Sequence, residues 1–374
     1  LLSMRISQTI RMNKYLLATV SLLLPALTYA QDGSMAADHP VGAPIDTTDV
    51  VLPDQRIHEV TVTKRQTVRS MGGAVNGQTM LKAELFKAAC CNLGESFVNN
   101  PSVDVNYSDA ATGAKQIKLL GLGGTYVQML TDMLPNFRGS AAPFALGYVP
   151  GSWMNSIQVS KGNASVKNGY EAMTGQINVQ YLKPEDEQKV QMNVYGNSMG
   201  KFEANAMANL HINGNENVAT ELLAHFENNW NHHDGNGDGI QDDPQVRQYN
   251  LQNRWFARAG HYLFHGSISA LKENRSTGQV DGHAGANHDT PLYKIGIETN
   301  RYEASMKHAY VFENEQESSI ALVGNVSMHQ QKAGYGLKVY DVNEKNAYAS
   351  LIFETNLGHD HNLSTGLSLN HDYL

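Results

Sequence analysis

The chain has 374 residues, of which 41% are apolar, 17% charged and 8% aromatic, enough for two or more domains. Its formal charge is −8 and no basic cluster interrupts it, which excludes a nucleic-acid partner that would need a basic face. The two cysteines are neighbours, Cys90 and Cys91. Adjacent Cα atoms lie about 3.8 Å apart, below the usual disulfide range of about 4.4 to 6.8 Å. No structural disulfide is expected, and the pair reads as packing, with a soft-metal thiol pair as the other reading.

Arg5, Arg11 and Lys14 precede the apolar run YLLATVSLLLPALTYA, which ends at Ala30. This is the pattern of a secretory signal peptide over 1–30. Its apolar core of roughly 15 residues is short for a spanning helix, which needs about 20. Removing those three basic residues takes the formal charge from −8 to −11. A sequence that opens on Leu1 and stops at Leu374 reads as a piece of a longer polypeptide. Residues 31–56 lack periodicity and read as a flexible tether. In 57–65, Val60 and Val62 alternate with Glu59, Thr61 and Thr63. Such a strand-prone peptide can add to a sheet edge on another protein or open the next domain.

From 79 to 97 the spacing of Leu81, Leu85, Ala89, Leu93 and Phe97 predicts a helix, with Thr79 as its N-cap. Strand-like pieces follow at VDVNY, QIKLL, YVQML, SIQVS and QINVQ, separated by glycine-rich turns. Residues 66–183 are expected to form a small mixed α/β domain.

No later segment holds 18 consecutive apolar residues, so any membrane crossing must be made by strands. Residues 184–374 supply them. Phe202, Ala204, Ala206, Ala208, Leu210 and Ile212 share one face, and Glu203, Asn205, Met207, Asn209 and His211 the other. The period of two recurs through Val190, Met192 and Val194, through Leu222 and Phe226, through Leu251 and Trp255, and onward to Leu367 and Leu369. The opposite faces carry Gln191, Asn193, Glu221, His225, Gln252 and Arg254. These would cost several kcal/mol each if buried dry and unpaired, so they are expected to face water. Apolar-out, polar-in strands of about ten residues predict an antiparallel transmembrane β-barrel; the competing pattern is a soluble sandwich. Connections are expected near 196–201, 213–217, 229–246, 259–261, 275–297, 313–318, 332–342 and 357–361, long alternating with short, with 293–298 an extension within a long loop. That leaves about nine strands, an odd number that does not close a bacterial single-chain barrel.

These residues resemble the TonB-dependent outer-membrane receptors. Glu59-Val60-Thr61-Val62-Thr63, with Ile57 before it, is similar to the family's energy-coupling box. Asn100 to Val105 is similar to a phrase near the start of its plug domain. The most specific match is 156–179, SIQVSKGNASVKNGYEAMTGQINV, carrying Ile157, Val159, Lys161, Gly162, Gly169, Gly175, Ile177 and Asn178. Leu120 stands where the family commonly has arginine and Met133 where it has glycine, which resembles a Bacteroidetes-type branch. The resemblance implies a mixed α/β plug followed by strands of a barrel that has 22 when complete, so about nine of an expected 22 are present. It implies an active receptor, not an enzyme, that imports a metal chelate or similarly bulky nutrient of the iron-siderophore or cobalamin type, with TonB as energy-transducing partner. By the same resemblance Asn136, Phe137 and Arg138, with Phe144, Tyr148 and Trp153, are expected at plug apices that contact ligand.

One further motif lies in an expected outer loop, WNHHDGNGDGIQDDP over 230–244. Asp234, Asn236 and Asp238 alternate, Gly239 permits a sharp turn, and the Ile240 carbonyl with Asp242 completes an oxygen-rich set suited to calcium. Gln245 stands where an EF-hand has its bidentate glutamate, with Asp243 as a substitute ligand. A merely solvated acidic loop is the other reading, and His232 and His233 could bind a transition metal, though an adjacent pair on an exposed loop is more often incidental. No G-x-S-x-G, H-E-x-x-H, C-x-x-C or P-loop occurs. A calcium-stabilised outer-membrane adhesin or a passive porin is the alternative in a different functional class.

Overall fold

The computed structural model describes residues 76–87, 91–98, 100, 103–162, 171–186, 189–280, 291–358 and 361–374, all within one compact unit, Val62–Leu374. The signal, tether and 57–65 readings, with Cys90 and Gly169, lie outside the described residues.

The plug region begins with β1 (Asn76–Leu81) and α1 (Lys82–Lys87). The predicted helix over 79–97 is therefore corrected. Thr79 pairs with Gln158 inside a strand, and the ladder overrides the three-four spacing of the leucines until Lys82. Leu93 and Phe97 are buried, the latter in a short 3-10 turn, Glu95–Phe97. The five expected strands are present as β2 (Asp104–Asp109), β3 (Ala114–Lys118), β4 (Val127–Thr131), β6 (Met154–Lys161) and β7 (Gly175–Tyr181), with a two-residue β5 (Leu134–Pro135). One sheet runs in the order β1-β6-β7-β4-β5, and β2 pairs with β3 as a separate hairpin. β4 and β7 are parallel, which requires the long crossover that carries a helical turn, Ala145–Tyr148, and β6.

β4 and β5 are joined by Asp132 and Met133, whose φ values are +49° and +66°. A two-residue loop with both residues left-handed matches the twist of a hairpin and favours Asn, Asp or Gly. Met133 occupies the glycine-like place, and its N–H donates to Asn178 Oδ1 at 2.7 Å. Leu120, the other departure, is likewise left-handed at +54°, beside Gly121 at +80°. Leu93, Leu119, Val149, Ile157, Ile177 and Val179 are all 0% exposed. Each such burial stabilises by roughly 1.5–3 kcal/mol.

Nine strands follow as an antiparallel meander from β8 to β16. They are β8 (Lys189–Gly196), β9 (Lys201–His211), β10 (Val218–Asn229), β11 (Gln245–Ala259), β12 (Tyr262–Gly278), β13 (Lys294–Val311), β14 (Ser319–Tyr335), β15 (Lys338–Leu357) and β16 (His361–Tyr373). The period-two faces partition as expected. In β9, Glu203, Asn205, Met207 and Asn209 are buried and Leu210 is exposed. Asn193 on β8 is exposed as expected, but most of the inward polar residues do not face open water. Glu221, His225, Gln252 and Arg254 are buried against the plug and one another, because the plug fills the concave side of the sheet.

Strand length is the second correction. β15 has 20 residues, whereas about 9–11 cross a bilayer. The outward residues explain the excess. Ile320, Leu322, Val326 and Met328 of β14 are apolar, then Gln330 and Lys332 are polar. The same boundary lies after Ala270 in β12 and, in the strands of opposite direction, before Tyr302 in β13 and before Ala347 in β15. Lys272, Asn300, Gln330 and Asn343 form one cross-strand row at that boundary. Beyond it the strands continue as a collar, so the loop expected at 332–342 is a hairpin turning between Tyr335 and Lys338. Residues 294–298 are likewise the first residues of β13. Long connections remain at 230–244 and 279–293.

Candidate ligand site and plug–wall contacts

The β4–β5 turn and the segment after it meet the inward wall through charged and polar groups. Asp132 Oδ2 lies 2.6 Å from Arg254 Nη2 on β11, and Arg254 Nη1 also donates to the Leu182 carbonyl and lies 3.7 Å from Glu221 on β10. Lys307 Nζ donates to the Asp132 carbonyl. Asn136 donates to Glu303 at 3.1 Å and accepts from Arg301 Nη2 at 2.7 Å, while the Arg301 guanidinium stacks 5.2 Å over the Phe137 ring. Asn325 donates to the Pro135 carbonyl at 2.7 Å. At Gly139 (φ +54°) the chain turns so tightly against β15 that a β-carbon there would overlap the Glu344 carboxylate. Glu344 accepts from the Ser140 N–H at 2.7 Å and from its hydroxyl.

The six residues expected at the plug apices divide. Asn136, Phe137 and Arg138 border a cavity of about 520 Å³ whose lining also includes Tyr126, Met129 and Met173. Arg138 pairs with Glu171 and with Asp372 on β16, the latter at 3.0 Å. Phe144, Tyr148 and Trp153 stand elsewhere. Tyr148 and Trp153 are each 1% exposed, within the plug core rather than at an open apex. Phe144 lies under the Arg275 guanidinium at 4.9 Å. Burial pushes the Tyr148 phenol above its ordinary range, and the Glu273 carboxylate adds to that.

A second, more polar cavity of about 270 Å³ lies between the plug and two connections of the wall, lined by Glu95, Lys115, Lys201, Glu227, His233 and Asp243 among others. Nearby, burial first and Glu203 second push the Cys91 thiol up.

In the 230–244 loop, Asp234 accepts from the N–H groups of Gly237 and Gly239 at 2.8 and 2.9 Å. Asn236 donates to Asp238 at 3.0 Å, and Asp242 accepts from the Gly235 N–H at 2.7 Å. Asp234, Asn236, Asp238 and Asp242 thus share one turn about Gly237 and Gly239, followed by Ile240, whereas Asp243 borders the polar cavity instead. The Gln241 side-chain amide donates to His232 Nδ1 at 2.9 Å.

The contacts from Arg254, Arg301, Lys307 and Glu344 were not singled out as site residues from the sequence. Their signal was available as charge at inward positions of the period-two pattern, but their partners Asp132, Asn136 and Ser140 lie more than 100 residues away.

Residues 70–176 match the family model described as TonB-dependent Receptor Plug Domain. Residues 70–176 are a TonB-dependent receptor plug domain. Its plug-and-strand fold is similar to that of solved receptors. The open form of the ferric-catecholate import receptor Fiu from E. coli K12 has a TM-score of 0.62 at 15% identity, covering 80% of this chain and 49% of that one. The ferric yersiniabactin uptake receptor FyuA from Yersinia pestis has 0.58 at 12%, covering 80% and 48%. The siderophore receptor PiuA from Acinetobacter baumannii has 0.56 at 10%, covering 79% and 45%. At these identities the likeness is one of fold, and the chain spans about half the length of each receptor. Comparison with the curated proteins gave no match.

Proposed function

We propose that the chain is the N-terminal portion of a receptor that imports a metal chelate or similarly bulky nutrient, of the iron-siderophore or cobalamin type, across the outer membrane of a Gram-negative bacterium. The observation that carries this reading is a plug lodged on the inward face of barrel strands by polar contacts, the fold of proteins described as siderophore and ferric-chelate receptors. A ligand seated among Phe137, Arg138 and the outer connections alters the contacts of Asn136 and Ser140 with the wall. Residues 57–63, captured by TonB as an added strand, then draw on the plug. The boundary favours separation, since charged and amide groups on both surfaces regain water when parted, whereas apolar faces would not. No reaction is catalysed. A passive porin is disfavoured by the filled lumen.

Deleting residues 57–63 from the complete gene tests the reading. Uptake of ferric siderophore or cobalamin should be lost while surface binding is kept; persistent uptake overturns it. For the 230–244 loop, Asp234, Asn236, Asp238, the Ile240 carbonyl and Asp242 are the residues that would hold calcium, which would neutralise the carboxylates and order the loop. Titration calorimetry of the protein and of Asp238→Asn decides this; equal heats remove the site.

A further inference from the structure

The polar cavity of about 270 Å³ between plug and wall is smaller than the roughly 300–1,000 Å³ typical of pockets for drug-sized ligands. A bulky chelate does not fit it, whereas a small solute does. Lys115, Pro143 and Leu146 partition it from the larger cavity that Phe137 and Arg138 border. Its walls come from two bodies that part in the proposed transport cycle. Asn92, Glu95, Tyr107 and Lys115 belong to the plug, the last two on the β2–β3 hairpin. Glu227 and Asn229 on β10, with His233 and Asp243 in the connection after it, belong to the wall.

Most charges on these walls satisfy one another. Lys201 Nζ lies 2.7 Å from Glu203 and 3.4 Å from Glu227, and Arg275 lies 3.1 Å from Glu273. Glu95 accepts from the Cys91 N–H at 3.0 Å and from the Asn92 amide at 3.5 Å. Two opposite charges are left over. Lys115, on the plug, has no carboxylate partner among the described residues, and its Nζ stands 5.2 Å from the centroid of the Tyr107 ring. Asp243, on the wall, has no cation or donor among them. Asn229 Oδ1 is also buried without a partner, while its amide nitrogen donates at 3.2 Å to the carbonyl of Pro244, the residue after Asp243.

The surplus donor thus faces the cavity from one side and the surplus acceptors from the other. A plain anion would meet Asp243 and Glu227, a plain cation would meet Lys115, and like charges so placed cost affinity. A ligand carrying both charges incurs neither cost. Tyr107, 57% exposed, with Pro143, Phe144 and Leu146, offers apolar surface for the body of such a ligand.

We propose that this cavity binds a zwitterionic α-amino acid with an apolar side chain, its carboxylate on Lys115, its ammonium on Asp243 and Asn229 Oδ1, and its side chain against Tyr107. The solute bridges plug and wall, so its occupancy opposes their separation. The inference rests on the packing of plug against wall and not on the identity of the transported nutrient.

Titration calorimetry of the complete receptor in detergent, with L-phenylalanine as probe, tests the site. L-phenylalaninamide lacks the carboxylate, N-acetyl-L-phenylalanine lacks the ammonium, and N-acetyl-L-phenylalaninamide lacks both. Each single block should weaken binding about tenfold, the effect of losing one hydrogen-bonded charge contact. Lys115→Gln should remove the preference for L-phenylalanine over L-phenylalaninamide and keep that over N-acetyl-L-phenylalanine; Asp243→Asn should do the reverse. Misfolding would abolish both preferences at once and does not produce this crossing. Absence of heat with L-phenylalanine, equal binding of the doubly blocked compound, or variants that change both preferences alike overturns the proposal. Saturating L-phenylalanine should also raise the urea midpoint for proteolysis of the plug, and an unchanged midpoint overturns the bridge. Ferric-siderophore or cobalamin uptake by the variants reports separately on the transport reading.

Discussion

The plug's interior and the plug's boundary with the wall are built from opposite materials. Inside, Leu93, Leu119, Ile157, Ile177 and Val179 exclude water completely. At the boundary, Asp132, Asn136 and Ser140 meet Arg254, Arg301, Glu303 and Glu344. A core holds its shape because nothing replaces its contacts on opening. An ionic boundary holds a position, and water takes over its contacts once the surfaces part. One small domain can thus stay folded while changing place.

The largest expected effect that tests this contrast is Arg254→Ala. It leaves Asp132 and Glu221 without their shared cation in a buried site, a loss of about 3–5 kcal/mol. Protease sensitivity of the plug in urea should rise, while near-ultraviolet circular dichroism of the aromatic core stays unchanged. A change in both would mean that core and boundary are one unit. A middle effect is expected from Gly139→Ala, where the new β-carbon meets the Glu344 carboxylate at a positive φ; roughly 1–3 kcal/mol should be lost from the same urea midpoint. The smallest is a gain. Met133→Gly relieves a left-handed methionine, which costs about 1–2 kcal/mol, against about 0.5–1 kcal/mol of added chain entropy. The net is a rise in stability of at most about 1.5 kcal/mol, read as a small upward shift in thermal midpoint.

Much of the wall was legible because a strand's two faces are written by adjacent residues. Glu203 and Phe202 part to opposite sides whatever the rest of the chain does. The collar was not legible, since Lys332, Gly334 and Gly336 carry the polar and glycine marks of a turn. A strand that has passed beyond lipid no longer needs apolar outward residues, so its period fades while its hydrogen bonds continue. Thr79 failed for a different reason. Leu81, Leu85 and Leu93 have helical spacing, yet β6 offers Thr79 a ladder partner, and distant pairing prevails over a local pattern. The site was half legible: Asn136, Phe137 and Arg138 border one cavity, but Tyr148 and Trp153, equally aromatic and near in sequence, were drawn into the core.

The boundary row also fixes where the wall grips the plug. Glu273, Arg301 and Glu344 point inward from positions adjoining Lys272, Asn300 and Asn343, which point outward. One part of the grip therefore sits at that row, and another, through Arg254, Lys307 and Asn325, lies deeper along the strands. Membrane thickness and headgroup charge therefore bear on the same few peptide units that carry Arg301 and Glu344 on their inner side.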